Sequence, residues 1–174
     1  IINLKTRENN KIKLLNNNKK GLGGAINLGI DKSTGEAICI MMADLSDDIT
    51  DLKRYYELIQ EKEIDAVFGS RIKDALGKKS KFELLIERPA YLATFISTYL
   101  INRWYGYNFT DVIGAEFYKS SVIKGIPITI YKSGFKFEHV SRMCKEGLKI
   151  GEVNVHYLPR SDSSDKKIKF YHIV

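Results

Sequence analysis

Asn16-Asn-Asn-Lys-Lys-Gly-Leu-Gly-Gly-Ala25, followed by Ile38-Cys-Ile-Met-Met-Ala-Asp-Leu-Ser-Asp-Asp48, decides how this chain is read. The first stretch is a glycine-rich loop opening a helix over residues 24–32. The second is an apolar strand, residues 37–42, running into a cluster of acids. Glycines allow a ligand to approach the backbone closely, and a helix N-terminus favours anions; the same run also makes a tight strand-to-helix turn. It is not a dinucleotide fingerprint, because Ile26 stands where the last glycine belongs. Nor is it a P-loop, because no Gly-Lys-Ser/Thr follows. Asp44, Asp47 and Asp48 also have two readings. Hard divalent cations take carboxylates together with substrate phosphates, whereas helix starts use acids as caps and dipole partners. Asp47 and Asp48 are assigned to capping, with Ser46 or Asp47 as the cap, and Asp44 is kept for a metal.

Outward from this stretch, residues 11–16 read as a short strand, after the end of a helix and a turn in residues 1–10. Ala25, Leu28 and Gly29 are placed on the sheet side of the glycine-loop helix. Residues 50–61 form a helix with Leu52, Tyr55, Tyr56 and Ile59 on one stripe. Residues 65–69 are a buried strand ending in Ser70-Arg71, and residues 37–42 are likewise read as buried on both faces. The order β-α-β-α-β predicts a parallel sheet with helices on both faces. Ligands of such sheets sit at the carboxyl ends of strands.

Residues 72–87 read as a charged, flexible connection, and residues 88–105 as a long helix with Pro89 in its first turn and Gly106 at its end. Thr110-Asp111 leads into a strand over residues 115–119. A helix over 137–146 closes at Gly147, a strand follows at 149–158, and residues 159–169 are a basic loop.

The 174 residues fit one domain with a proper core. A net charge of +7 points either to an anionic partner or to a basic proteome. Cys39 and Cys144 lie far apart in apolar surroundings and give no disulfide framework, as in a reducing compartment. No signal-peptide pattern is present, and the longest uncharged run, residues 89–102, is too short to span a bilayer. The abrupt beginning at Ile1-Ile2 and end at Val174 read as those of a piece of a longer chain.

Arg71, Arg88 and Arg160 each stand at the end or start of an element, where a guanidinium suits phosphate oxygens; each alone is also an ordinary surface arginine. The helix over 88–105 carries Tyr91, Leu92, Phe95, Ile96, Tyr99, Leu100, Trp104 and Tyr105. That face is either core or, with Lys78, Lys79, Lys81 and Arg103 near it, a surface for an anionic membrane. His139 and His156 share no ligand spacing and are read as structural.

Taken together in order, these segments resemble the family 2 glycosyltransferases of GT-A fold, and among them the dolichyl- or polyprenyl-phosphate sugar synthases. The resemblance rests on Lys20-Gly-Leu-Gly-Gly-Ala-Ile-Asn-Leu-Gly29, on the run from Ser33 to Asp47, and on Val67-Phe-Gly-Ser-Arg71. Thr110-Asp111, Gly134-Phe-Lys-Phe-Glu138, the run from Val153 to Arg160 and Lys166-Lys-Ile-Lys-Phe170 complete it. It implies an α/β GT-A domain over residues 1–174, its mainly parallel sheet flanked by helices and lacking its first strands. The family's Pro-Xaa-Tyr-Asn-Glu and Asp-Asp-Gly-Ser motifs would lie before Ile1.

The implied reaction moves a sugar, usually with inversion, from a nucleotide sugar to a polyisoprenyl phosphate at the cytoplasmic face of a membrane. Peripheral membrane contact is implied and nucleic acid is not. Mg2+ or Mn2+ would sit at Asp44, with Ser46 beside it. Lys20, Gly21, Gly23 and Asp44 would meet the donor. Arg71, Arg88, Arg160 and Lys167 would hold the acceptor phosphate, and Asp111 would orient the sugar or act as base. Two positions depart from the pattern. Met42 replaces the first acid of Asp-X-Asp, and Val112-Ile-Gly-Ala-Glu-Phe-Tyr118 replaces a Ser-Gly-aromatic run. A family 2 transferase with a saccharide acceptor and a basic nucleic-acid-binding module are the rival readings.

Overall fold

The computed structural model describes residues 11–19, 21–42, 46–132 and 134–155. Its elements are α1 (Leu22–Lys32), β1 (Ala37–Ile40), α2 (Asp51–Lys62), β2 (Ala66–Ser70), α3 (Lys73–Leu76) and α4 (Lys81–Glu87). After them come α5 (Tyr91–Tyr105), β3 (Ala115–Lys119), α6 (Ser120–Ile123), α7 (Phe135–Lys145) and β4 (Ile150–Asn154).

The strands form one mixed sheet in the order β1-β3-β2-β4. β3 runs antiparallel to both β1 and β2, and β4 runs parallel to β2. The mainly parallel sheet expected from the β-α-β-α-β order is thus corrected: β1, β2 and β4 do share a direction, but β3 is wedged between the first two in reverse. Nothing in strand periodicity encodes that reversal. Three helices, α3 to α5, lie between β2 and β3 in the chain. Because β3 is reversed, its beginning lies at the same sheet edge as the ends of the other strands.

Side chains alternate across the sheet, as a period of two requires. Val67 and Phe117 meet Tyr55 and Ile59 of α2 on one face. Ala66, Phe68 and Tyr118 meet Ile30, Ile101, Ile123 and the α7 residues Phe135, Val140 and Met143 on the other. Helices thus cover both faces, as the sequence predicts. β2, the central strand, is buried at every residue, whereas β1 is half-buried throughout. Among the described strands β1 has a neighbour on one side only.

Several boundaries shift for local reasons. Residues 11–16 pair with no described strand, and Leu14 and Leu15 are exposed. β1 stops at Ile40 because the Met42 N–H is taken by Asp47 Oδ2 at 2.8 Å. α1 buries Gly23, Gly24 and Ile30, while Ala25 and Gly29 are exposed, so its packing side differs from the one predicted. Tyr56 likewise leaves the α2 stripe and is exposed.

The supposed connection over 72–87 contains α3 and α4. Ser80 accepts from Glu83 N while Glu83 accepts from Ser80 N, a reciprocal capping box that fixes the start of α4. Arg88 then caps the end of α4, and α5 starts at Tyr91. α5 ends where predicted, with Gly106 in the left-handed conformation, φ 76°. The final strand is seen as Ile150–Asn154; its predicted end, the loop over 159–169 and the element assigned to residues 1–10 lie outside the described residues.

Candidate functional site

The carboxyl ends of β1, β2 and β4 and the amino end of β3 converge on one edge, and the polar side chains of the sheet collect there. Gly69 faces Ala115 across the β2–β3 pair, and Ser70 faces Asn154 across the β2–β4 pair. The loop from Thr110 to Gly114 therefore lies beside Ser70-Arg71. The approach is too tight for larger residues: a Cβ on Gly114 would stand 1.7 Å from the Gly69 carbonyl oxygen.

Asp111 is fully buried in this loop. Its Oδ2 accepts from Arg71 Nε at 2.8 Å and from Arg71 N at 3.2 Å. Its Oδ1 accepts from Arg71 Nη2 at 3.1 Å and from Ile113 N at 2.9 Å. This is a two-pronged carboxylate–guanidinium pair, which fixes the arginine's plane as well as its charge. The Arg71 side chain is anchored by Asp111 and retains 20% exposure. Asp111 as found holds Arg71, with both oxygens engaged.

Glu152 supplies a second layer that sequence reasoning missed. Its Oε1 accepts from Thr110 N at 2.8 Å and Asp111 N at 2.9 Å, and its Oε2 accepts from the Thr110 hydroxyl at 2.9 Å. Thr110 and Ser70 share a hydroxyl hydrogen bond of 2.7 Å, and Ser70 Oγ accepts from Lys73 N. One carboxylate on β4 thus holds the turn that presents Asp111. The only cue in the sequence is an acid on a strand otherwise read as ordinary β4.

Beneath the same loop lies a buried ionic group. Glu116, on β3, and His139, on α7, are 1% and 0% exposed. Tyr118 donates its hydroxyl proton to Glu116 Oε2, and Lys136 Nζ lies 3.9 Å from Glu116 Oε1. Lys136 also donates to the carbonyls of Ile113 and Gly114, tying α7 to the Asp111 loop. Burial keeps the His139 pKa below its usual value, against the opposing pull of Glu116, so the ring is neutral near pH 7. His139 is a core residue, as its lack of ligand spacing predicts. Burial raises the Tyr118 pKa, and Glu116 adds to the effect.

The acid cluster resolves into separate tasks. Asp47 accepts from Met42 N instead of capping α2. Asp48 accepts from the N–H and hydroxyl of Thr50, the residue before α2, and so braces the approach to the helix without capping its first amides. Asp51 is buried and paired with Arg54 at 3.1 Å. Ser46 is 5% exposed and lines a small cleft with Cys39, Met41, Asp47 and Tyr55. Burial pushes the Cys39 thiol up to about 12, with Asp47 and Glu116 adding to the shift, so it is not a nucleophile near neutral pH. Among the described residues no group of three or more His, Cys, Asp or Glu could hold a metal ion. Asp44, the expected metal ligand, lies outside the described residues, as do Lys20, His156, Arg160 and Lys167.

The glycine loop has an internal account. Gly21 has φ 106°, and a Cβ there would meet the Tyr131 carbonyl oxygen at 2.1 Å; at Gly23 it would meet the Ile130 oxygen at 2.6 Å. The Gly23 N–H donates to Tyr131 O at 3.1 Å. Asn27 Oδ1 accepts from Ile128 N, and Lys19 donates to the Tyr131 hydroxyl. Close approach at these glycines is to the chain's own 128–131 segment, which fits the tight-turn reading of this run. Arg88 is exposed at the junction of α4 and α5, with its guanidinium 5.9 Å from the Tyr91 ring. Its Nη1 donates to the Tyr91 hydroxyl at 3.4 Å.

The model of a known family, Glycosyl transferase family 2, matches residues 2–125, from before the glycine loop through the Asp111 loop and β3. The chain belongs to this family. Family 2 membership entails the GT-A fold and a transfer of sugar from a nucleotide donor to an acceptor. In α/β sheets ligands sit at the carboxyl ends of the strands, which is the edge just described. The matched stretch includes Arg71, Asp111 and Glu116, whereas Lys136, His139 and Glu152 lie beyond it.

Proposed function

We propose that this glycosyl transferase uses a polyisoprenyl phosphate as its acceptor, with inversion at the sugar, at the cytoplasmic face of a membrane. The observation that carries the proposal is the Arg71–Asp111 pair. A guanidinium whose plane is fixed by two parallel hydrogen bonds, and which keeps partial exposure at the sheet's ligand edge, suits a phosphate oxygen. An acceptor phosphate is already ionised and needs no strong base, which agrees with Asp111 being fully engaged. On this reading Arg88, Arg160 and Lys167 add positive charge for the same phosphate. Lys20 meets the donor, while Gly21 and Gly23 shape the helix start beside it.

A divalent cation, Mg2+ or Mn2+, would be held by Asp44 with Ser46. When bound, it neutralises charge on the departing nucleoside diphosphate. The assignment of Asp44 rests on the likeness of the run from Ser33 to Asp47 to the family's acidic metal motif.

The test is transfer from a panel of radiolabelled nucleotide sugars by the full chain in native membranes, with products partitioned between organic solvent and water. Label in the organic phase, cut at least about a hundredfold by Asp44→Ala, is the expected result. Arg71→Ala should impair acceptor use more than donor hydrolysis. Label found only in a water-soluble, lengthened glycan would replace the lipid acceptor with a saccharide.

A further inference from the structure

α5 presents its apolar side to solvent. Its inner side carries Thr94, Thr98 and Ile101, all buried. The Thr98 hydroxyl accepts from Val112 N at 3.3 Å, next to Asp111. Leu92, Ile96, Tyr99 and Arg103 follow one another at intervals of four, three and four residues, which places them on one stripe of the helix. Leu92, Ile96 and Tyr99 are 47%, 52% and 66% exposed. α4 repeats the arrangement: Phe82 and Ile86, four apart, are 72% and 67% exposed, while Leu84 is buried. α4 and α5 pack against each other, and Lys81 Nζ lies 5.8 Å from the Phe95 ring. Exposed Lys78, Lys79, Lys81, Arg88 and Arg103 outnumber the two acids of α4, of which Glu83 serves the capping box and Glu87 pairs with Lys79.

We infer that the α4–α5 face seats the transferase on an anionic bilayer surface. The apolar side chains enter the boundary between headgroups and acyl chains, and the cations meet the headgroups. The charge pattern selects this occupant over a second copy, because a copy on the same face would oppose these cations to themselves. No described helix is long and apolar enough to cross a membrane, so the contact is one of lying on the surface. The inference rests on the lipid-phosphate reading, and it names the surface that brings the acceptor. The buried side of α5 meets the loop that positions Arg71 through the Thr98–Val112 hydrogen bond, so the exposed stripe and that loop lie on opposite sides of one helix.

The test is flotation of the full chain with vesicles of phosphatidylcholine alone, or of phosphatidylcholine with phosphatidylglycerol. Binding to the anionic vesicles that falls with added salt is expected, as is a loss of about tenfold or more in a Phe82→Asp, Ile96→Asp double variant. Both positions are exposed, so an unchanged circular-dichroism melt checks that the fold survives. Equal binding by variant and wild type, or no preference for anionic vesicles, overturns the inference. So does a dimer in sedimentation that the variant abolishes while vesicle binding is unchanged. The acceptor reading fails separately: vesicle binding lost in the variant, with no organic-phase product from wild type, would leave the seat standing without a lipid acceptor.

Discussion

At the scale of single residues the site is a chain of commitments: Glu152 holds the turn, the turn holds Asp111, and Asp111 holds Arg71. Removing either member of a buried pair strands the other's charge, which typically costs about 3–5 kcal/mol. Gly114 is the pivot, because the Gly69 carbonyl occupies the place of any side chain there. Gly114→Ala is expected to destabilise the protein by about 1–3 kcal/mol as the loop and β2 are pushed apart. Urea unfolding of the variant beside wild type measures this, and an unchanged midpoint would count against the close approach. Arg71 and Asp111 were each legible as residues, from their places at a strand end and before a strand. Their partnership was not, because it joins positions 40 apart through the β2–β3 pairing. Glu152, Lys136 and Glu116 were hidden for the same reason: their meaning lies in neighbours that only the mixed sheet supplies.

Elements were legible where the signal was local. α5 and its glycine stop, β2 and α2 could be read from periodicity and caps, with ends moving by one to three residues. α4 was equally local and was still passed over. Ser80-Lys-Phe-Glu83 ahead of Leu84-Leu-Ile86 is the signature of a capped helix, but the lysines around it pointed to a loop. Ser80→Ala should cost about 1 kcal/mol. The loss should show as faster amide exchange in α4, with α7 unaffected; equal exchange in both proteins would mean that packing, not the cap, holds the helix. The direction of β3 was not legible, since a period of two is the same for either direction.

For the molecule as a whole, Glu138 is a fastening between layers. It accepts from Thr129 N and Ile130 N, from the Thr129 hydroxyl and from Arg142, tying α7 to the segment on which α1 rests. Burial opposes ionisation, yet these hydrogen bonds hold its pKa down to about 2, against 4.5 for an ordinary glutamate. A depressed carboxylate adds stability in full above its unfolded value and loses it as pH falls through the folded one. Melting temperature should therefore drop between pH 4.5 and about 2, and Glu138→Gln should flatten the profile in that window. A variant with the same acid slope as wild type would remove Glu138 from the account.

The reversed strand also bears on how the protein is made. Among the described strands β1 pairs only with β3, Ala37 meeting Lys119 and Ile40 meeting Glu116. During synthesis β1, α2 and β2 leave the ribosome well before the strand that joins β1 to β2. Until residues 115–119 emerge, the inward faces of β1 and β2 have no described ladder between them, and contacts so distant in sequence form slowly. Nascent chains stopped short of β3 should therefore hold their apolar strands open to chaperones, and release of β3 should be the step that joins β1 to β2.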